Sequence, residues 1–314
     1  AGSRTRLSEI MRTMLPVVLG LSITQLNTLC DSLIAWGLTA PSDNTVTGWL
    51  SEYPLSEGTA AALYYGQRLY QFPLGVFAVA LGTVIFPLLT THAERGLHDL
   101  FRQDLVRGLR MVIAIGIPAG VGLFLIALPL TRLLFERGAF DRTDSEQTAG
   151  IIAMYAIGVW AACALLIVHR AFYALGDRIT PLRIGLLSVV INLAGSLLLV
   201  FVLAGRGLAL ATSLTVNLQM IVCVWLLSRR VEGFVWRPVV DALARTVLAS
   251  VMMAGACIAS TAIAGPASGD SLWNRTVTLI IPLASGGVTY LLVARLLGLR
   301  EPFDLLSRRS QDDV

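Results

Sequence analysis

Long apolar runs separated by short polar segments dominate the pattern of the chain. The runs cover residues 14–38, 60–91, 109–131, 148–175, 182–204, 207–228, 242–264 and 276–298. Each is close to or longer than the roughly 20 residues that an α-helix needs to span about 30 Å of hydrocarbon. The runs are continuously apolar, whereas the strands of a membrane barrel alternate between apolar and polar positions. The pattern therefore predicts an all-α integral membrane protein with eight transmembrane helices.

Composition and charge placement agree with this prediction and add an orientation. The 314 residues are 55% hydrophobic and 14% charged, and the mean hydropathy is +0.73. All 24 basic residues are arginine, a residue that accumulates in cytoplasmic loops. With the N-terminus inside, seventeen arginines fall on the cytoplasmic side and five on the other. We therefore expect both termini in the cytoplasm. Attraction to anionic lipid headgroups is enough to explain the net charge of +4, so we expect no nucleic-acid partner.

No motif in the chain indicates catalysis. The four cysteines stand singly inside apolar runs, and the three histidines do not have the spacing of metal ligands. The sequence contains no glycine-rich phosphate loop and no nucleophile elbow. We expect neither an enzyme nor a zinc site.

Two segments outside the runs predict local structure. Residues 93–108 place leucines and Phe101 on one face and charged residues on the other, which favours a helix lying on the cytoplasmic surface over a solvated connector. The run TDSE at 143–146 is a capping box that we expect to begin the fourth span. Gly176, followed by Pro181, is expected to end that span.

A stripe of polar and small residues runs along the second span. It consists of Tyr64, Arg68, Gln71, Gly75, Ala78 and Gly82, at helical steps of four and three. A guanidinium that faces lipid costs about 2.5–3.5 kcal/mol or more. The stripe therefore predicts that Arg68 faces other helices or water. The alternative is that Arg68 snorkels to the headgroups at the outer end of the helix.

A second stripe runs along the first span. It consists of Gly20, Thr24, Asn27, Asp31 and Ala35. We therefore expect Asp31 to be buried among polar partners, with Asn192 and Ser196 of the fifth span and Thr212 of the sixth as candidates. Oxygen ligands of this kind suit sodium or a proton relay. An ion pair between Asp31 and Arg68, and a hydrated position near the interface, remain alternatives.

Four stretches of the chain resemble one family. They are LPVVLGLSITQLNTLCDSLIA (15–35), YYGQRLYQFPLGVFAVALGTVIFPLL (64–89), LLFERGAF (133–140) and AFYALGDRITP (171–181). In order and spacing they look like the lipid II flippase family, the MurJ/MviN group of the multidrug/oligosaccharidyl-lipid/polysaccharide exporter superfamily. The second and third stretches are specific to that group, whereas the fourth is shared in style with multidrug exporters.

The resemblance implies a fold and a location. The family forms a MATE-like V-shaped bundle of fourteen helices in two lobes, in the bacterial plasma (inner) membrane. This chain would correspond to the seventh to fourteenth helices. Residues 1–230 would form the six-helix second lobe, and residues 231–314 the two additional helices with a cytoplasmic tail. The first lobe would be a necessary partner outside this chain.

The resemblance also implies a function. The family moves the undecaprenyl-diphosphate-linked peptidoglycan precursor, lipid II, from the inner to the outer leaflet by alternating access. Arg68 matches an arginine of the central cavity that would meet the pyrophosphate, with Tyr64, Gln67 and Gln71 beside it. Gln71 stands where some members have glutamate. The last two helices resemble the pair that forms a groove for the polyprenyl tail.

The resemblance further implies a coupling ion, Na⁺ or H⁺. Asp31, Asn192 and Thr212 match positions associated with a monovalent cation, and Ser196 stands where a second acid would strengthen the site. Two other functions remain open from the sequence. One is export of drugs or of another lipid-linked oligosaccharide, and the other is an inactive or scaffolding membrane fragment.

Overall fold

The computed structural model describes residues 22–23, 25–39, 53–264 and 271–303, with the backbone alone at residues 77–84 and at Ala264. These ranges are helical apart from turns and one isolated bridge between Thr39 and Leu55. The helices are α1 (residues 25–37), α2 (Thr59–Pro73), α3 (Val79–Glu94), α4 (His98–Phe135), α5 (Arg142–Ala156), α6 (Val159–Ala174), α7 (Ile179–Leu203), α8 (Gly205–Arg230), α9 (Arg237–Ala264) and α10 (Leu272–Leu296).

The described helices form a membrane bundle. Five of them (α4, α7, α8, α9 and α10) are long and apolar enough to span a bilayer, and α5 with α6, bent by 43°, makes a sixth span when the pair is counted as one. The predicted all-α membrane fold is confirmed. The count of eight spans stays a prediction, because the first predicted span lies partly outside the described residues and the second is interrupted.

The interruption of the second span has a local cause. Pro73 ends α2, and residues Leu74–Ala78 form one turn of π-helix before α3 begins. Proline lacks the N–H that would continue the helical hydrogen bonds, and its ring crowds the preceding turn. A wider turn at this point relieves that conflict. The second span is therefore two helices in series.

The prediction of a separate surface helix over residues 93–108 is wrong. A turn at Gly96, with φ of 66°, is followed by α4, which continues without a break through Phe135. Phe101 and Leu105 are buried in the bundle core, whereas Leu97 and Leu100 are exposed. The amphipathic pattern passes into the apolar run with no proline between them, and Gly108 at the junction is buried within the continuous helix. The segment is therefore the first turns of a membrane helix.

The predicted start of the fourth span is misplaced by two residues. The N-cap is Asp141, whose carboxylate accepts a hydrogen bond from Asp144 N at 3.0 Å. The Asp144 carboxylate accepts from Asp141 N at 3.1 Å in return. The capping box is therefore built from these two aspartates and not from Thr143 and Glu146. The predicted stop at Gly176 is confirmed, because α6 ends just before it and its φ is 77°.

Two glycines of α4 allow the bent α5–α6 pair to pack closely. A Cβ atom on Gly120 would lie 2.7 Å from the carbonyl oxygen of Ala156, and one on Gly116 would lie 2.9 Å from Trp160 Cα. Both contacts are with the backbone near the bend, so only residues without a side chain fit there. This GxxxG pair sets the distance between the helices.

Apolar cores and lipid-facing surfaces divide the bundle. The largest buried cluster lies mainly between α4, α6 and α8, and a smaller one joins α9 to α10 around Met253 and Tyr290. The smaller cluster also packs against Val121 and Leu125 of α4. In α7, by contrast, residues such as Leu198 and Val202 are exposed, as expected of a helix that faces lipid. The proposed boundary near residue 230 stays a prediction.

Polar contacts join loops within each predicted side of the membrane. On the predicted external side, Gln147 donates to Thr59 Oγ1 at 2.7 Å. On the predicted cytoplasmic side, Arg102 donates to the Gly233 carbonyl at 3.1 Å, and Arg110 pairs with Glu301. Each contact joins segments that would lie on the same side of the membrane if successive spans alternate in direction. The orientation of the termini stays a prediction.

Candidate functional site

Asp31 of α1 lies in a buried polar cluster with α7 and α8. Its Oδ1 accepts hydrogen bonds from Ser196 Oγ at 3.1 Å and from Asn192 Nδ2 at 3.4 Å. Its Oδ2 accepts from Thr212 Oγ1 at 3.0 Å. Asp31 is 6% exposed. The structure thus brings Asp31 together with the three partners predicted for it, although their role as a cation site stays a prediction.

The chemistry of this cluster fits a small monovalent cation. It presents a carboxylate, two hydroxyl groups and an amide, all of which have oxygen atoms that can act as hard ligands. Asn192 Oδ1 is buried and has no hydrogen-bond partner among the described residues, and the same holds for Asn27 Oδ1 one turn before Asp31. Buried acceptors without a donor are costly unless a cation or water satisfies them. The cluster therefore has unused capacity for a positive charge.

The alternative positions for Asp31 do not match the structure. Within the described residues no arginine forms an ion pair with Asp31, since its three partners are neutral donors. Its burial also contradicts a hydrated position at the surface.

The polar stripe of α2 lies on an open face of the described bundle. Arg68 is exposed, as are Tyr64, Gln71 and Gly75. The guanidinium of Arg68 lies 4.9 Å from the ring centre of Tyr64 and donates to Gln71 Oε1 at 3.4 Å. Both contacts are within α2 and leave most of the five donors of the guanidinium available. Ala78 and Gly82, which extended the predicted stripe, lie in the segment where only the backbone is described.

Gln67 occupies a different position from these three residues. It is half-buried, and its Nε2 donates to Thr28 Oγ1 of α1 at 2.7 Å. The contact links α2 to the helix that carries Asp31. Thr28, which contacts α2, and Asp31, which contacts α7 and α8, are three residues apart on α1. The same part of α1 therefore contacts both polar regions.

The opposite face of α2 is held by close packing. A Cβ atom on Gly66 would lie 3.0 Å from Ile151 Cγ2 of α5. Ala62 and Leu63 are buried in the same cluster as Ile151. Small residues on this face let α2 pack closely against α5. The packing turns Arg68 away from the bundle and onto its open side.

An apolar groove borders the same helix. It has a volume of about 520 Å³ and is formed by α2, α4, α9 and α10. Leu69, Phe72 and Pro73 form its wall on α2, and Pro282 and Gly286 contribute from α10. Phe72 lies one helical turn from Arg68, so a charged face and an apolar groove are adjacent on one helix. The groove residues of α2 and α4 were missed from the sequence, because an apolar residue that lines a groove has the same pattern as one that faces lipid.

Comparison with known proteins identifies the family. A family model described as "Lipid II flippase MurJ" matches residues 2–269. The chain belongs to the MurJ lipid II flippase family. A probable lipid II flippase MurJ of Vibrio cholerae serotype O1 is 30% identical over 292 residues, covering 93% of this chain and 52% of the relative. The probable lipid II flippase MurJ of Rhizobium tropici is 29% identical, and the match covers 92% of this chain and 51% of that relative. The chain thus spans about half the length of these MurJ relatives.

Solved structures show the same fold. A lipid II flippase MurJ in an inward closed conformation has a TM-score of 0.67 at 20% identity, covering 93% of this chain and 55% of that one. An outward-facing multidrug resistance MATE family transporter has a TM-score of 0.55 at 17% identity, covering 91% and 64%. The chain therefore has the helical fold shared by these MurJ and MATE transporters.

Proposed function

We propose that this chain forms the substrate-binding second lobe, with its two additional helices, of a flippase that moves lipid II from the inner to the outer leaflet. The proposal extends the activity named for its relatives to a chain that spans about half of their length. The missing half of the cavity would come from a first lobe outside this chain. Lobe rocking would then expose the site to each leaflet in turn.

The observation that carries the proposal is the state of Arg68. It lies on α2, on an open face, with no carboxylate partner among the described residues. A guanidinium offers two parallel donors to a phosphate oxygen pair, which suits the diphosphate of an undecaprenyl-linked substrate. Tyr64 and Gln71 keep the guanidinium on this face through their contacts. Recognition requires no covalent step.

The apolar groove supports the same substrate. A diphosphate bound at Arg68 would have an apolar surface beginning one turn away, at Phe72 and Pro73. The groove then continues between α4 and the last two helices, which matches the requirement of a long polyprenyl chain. A headgroup site and a tail site on one helix favour a lipid-linked substrate over a soluble drug.

The Asp31 cluster is the proposed site of the coupling ion. Asp31 and Asn192 would hold the cation, with Ser196 and Thr212 as hydroxyl ligands. Because the cluster joins α1 to α7 and α8, an ion bound there would fix the position of α1 relative to the rest of the lobe. Gln67 links α1 to α2, so this position would be transmitted to the helix that carries Arg68.

Complementation tests the proposal. The complete reading frame that encodes this chain is expressed in cells depleted of their own lipid II flippase, and growth and cell shape are followed. We expect rescue by the unchanged protein and loss of rescue by Arg68→Ala. Arg68→Lys keeps the charge but loses bidentate binding, so we expect partial rescue.

A matched control is Arg142→Ala, which removes another exposed arginine, one that pairs only within α5. All variants are compared at equal amounts in the membrane. Rescue by Arg68→Ala to the level of Arg142→Ala would overturn the proposal. Failure of the unchanged protein to rescue would do the same.

A further inference from the structure

A basic cleft lies between α4 and α9, apart from the apolar groove and from Arg68. It has a volume of about 610 Å³ and is lined by Arg110, Arg237, Pro238, Val240, Asp241, Ala244 and Arg245. The groove is lined on α9 by Met253 and Cys257. At 100° per residue, Ala244 and Arg237 point to the side of α9 opposite these two residues. The cleft and the groove are therefore separate sites on opposite faces of one helix.

The charges of the cleft favour an anion. Arg245 pairs with Asp241 at 2.8 Å and donates to the Leu297 carbonyl at 2.8 Å. Arg110 pairs with Glu301, and its Nε has no hydrogen-bond partner among the described residues. Arg237 is exposed and forms no ion pair with the described residues. Three arginines face two carboxylates, which leaves one positive charge.

The position of the cleft adds to this charge. Arg237 is the first residue of α9, so the cleft lies at the positive end of the dipole of a 28-residue helix. Arg110 comes from the other wall, on α4. An anion placed between Arg237 and Arg110 would be held from two helices, with donors in the planar arrangement that suits phosphate oxygens.

The surface beyond the cleft favours a lipid over a free ion. Val240, Val247, Leu248 and Val251 fall on the same side of α9 as the cleft, and each is exposed. They form an apolar strip that runs from the arginines into the membrane-spanning part of the helix. A basic pocket at the end of a lipid-facing strip matches a molecule with a phosphate headgroup and acyl chains.

We propose that this cleft binds the phosphate headgroup of an anionic phospholipid, with its acyl chains along the apolar strip of α9. The bound lipid bridges α4 and α9 and stabilises the attachment of the last two helices to the lobe. The site is distinct from the substrate site at Arg68, and it acts whether or not the proposed transport function holds.

Lipid binding by the purified full-length protein in detergent tests the proposal. The probe is fluorescent phosphatidylglycerol, displaced by unlabelled phosphatidylglycerol, phosphatidylcholine or inorganic phosphate. We expect displacement by phosphatidylglycerol but not by the other two. Loss of one arginine from a phosphate site weakens binding about fivefold, which is the change expected for Arg237→Gln.

The matched control is Arg295→Gln, an exposed arginine in the last turn of α10 on the same predicted side of the membrane. Arg237→Lys keeps the charge but loses the planar pair of donors, so its binding is expected to lie between that of the unchanged protein and that of Arg237→Gln. Size-exclusion profiles and helical circular dichroism check that each variant folds. Equal binding by Arg237→Gln and Arg295→Gln would overturn the proposal. Equal displacement by phosphatidylcholine would show that charge is not recognised, and displacement by inorganic phosphate at similar concentration would show that the site takes a free anion and not a lipid.

Discussion

The guanidinium of Arg275 and the carboxylate of Glu136 lie 2.9 Å apart and join the start of α10 to the end of α4. Arg275 also donates to the carbonyl oxygens of Arg132 and Glu136, and Ser145 Oγ donates to the second oxygen of Glu136 at 2.9 Å. Both partners of the pair are mostly buried, with side chains about 15% exposed. About three turns into α4, Arg110 pairs with Glu301, just beyond α10. The last two helices are thus attached to α4 by charged contacts at two levels.

Removal of the buried cation should strongly destabilise the protein. Arg275→Ala leaves the Glu136 carboxylate with only its longer contact to Arg132, at 3.6 Å, and breaking a buried pair in this way lowers the free energy of unfolding by about 3 kcal/mol. Thermal unfolding of the purified protein measures the change. Arg142→Ala is the control, because Arg142 and Glu146 are both exposed and such pairs contribute at most about 1 kcal/mol. Equal loss in both variants would show that burial of the Arg275 pair has no effect.

The close approach of α4 to the α5–α6 bend predicts opposite effects at two nearby glycines. Gly120→Ala puts a Cβ atom 2.7 Å from the Ala156 carbonyl oxygen, and overpacking of this kind costs about 1–3 kcal/mol. Gly122→Ala meets nothing within 4 Å and should stabilise the helix by up to about 1 kcal/mol through its higher propensity. Thermal midpoints of the two variants should move in opposite directions. A rise for Gly120→Ala would mean that the helices are not in contact there.

A second acid in the Asp31 cluster should strengthen sodium binding. Ser196→Asp adds a carboxylate next to Asp31, and a gain of about 1.4 kcal/mol lowers the half-saturating sodium concentration about tenfold. Sodium-dependent shifts of the thermal midpoint, against the same concentration of choline, measure the binding. Ser196→Asn is the control, since it has similar size but no charge, and Asp31→Asn should abolish the shift. Equal sodium midpoints for Ser196→Asp and Ser196→Asn would show that sodium does not bind there.

The turn between α6 and α7 predicts a pH dependence of stability. Burial by itself raises the pKa of Asp177, but hydrogen bonds from Thr180, the charge of Arg230 and the Ile179 N–H outweigh it, so that the pKa lies below its ordinary value of 3.8. The unfolded chain therefore binds the proton at higher pH than the folded one. The stabilisation is complete above about pH 5 and is lost as the pH falls through the lowered pKa.

Asp177→Asn should remove this part of the acid dependence. The free energy of unfolding of the variant should be lower than that of the unchanged protein at pH 7, and the difference should shrink as the pH falls below 3.8. Unfolding curves between pH 7 and acid conditions measure it. A constant difference at every pH would mean that the Asp177 carboxylate has no favourable contacts in the folded state.

Part of the candidate site could be predicted because it depends on local periodicity. The spacing of Asn192 and Ser196 places both on one face of α7, and a single acid in an apolar run must find polar partners. The structure brings both to Asp31. The same reasoning did not place Gln67 against Thr28 of α1. A glutamine beside an arginine has the same pattern whether it meets a substrate or a neighbouring helix.

The exact boundaries of the helices also could not be predicted from the local sequence pattern. Apolar runs located the spans, but the π-helical turn after Pro73 and the continuation of α4 down to His98 depend on how each segment packs. A proline in an apolar run is compatible with a kink, a wide turn or an undisturbed helix, as Pro118 within α4 demonstrates. Contacts with neighbouring helices select among these.

By itself, the sequence determined that this protein is a helical membrane bundle, which faces of its helices are polar, and which residue types are available to bind an anion and a cation. Those properties follow from hydrophobicity and from the 3.6-residue period, which act within one helix. The tertiary structure alone decided that Arg68 is on an open face beside an apolar groove, and that Arg275 meets Glu136 across 139 residues of chain. Such contacts depend on close approach between helices, which no local pattern contains.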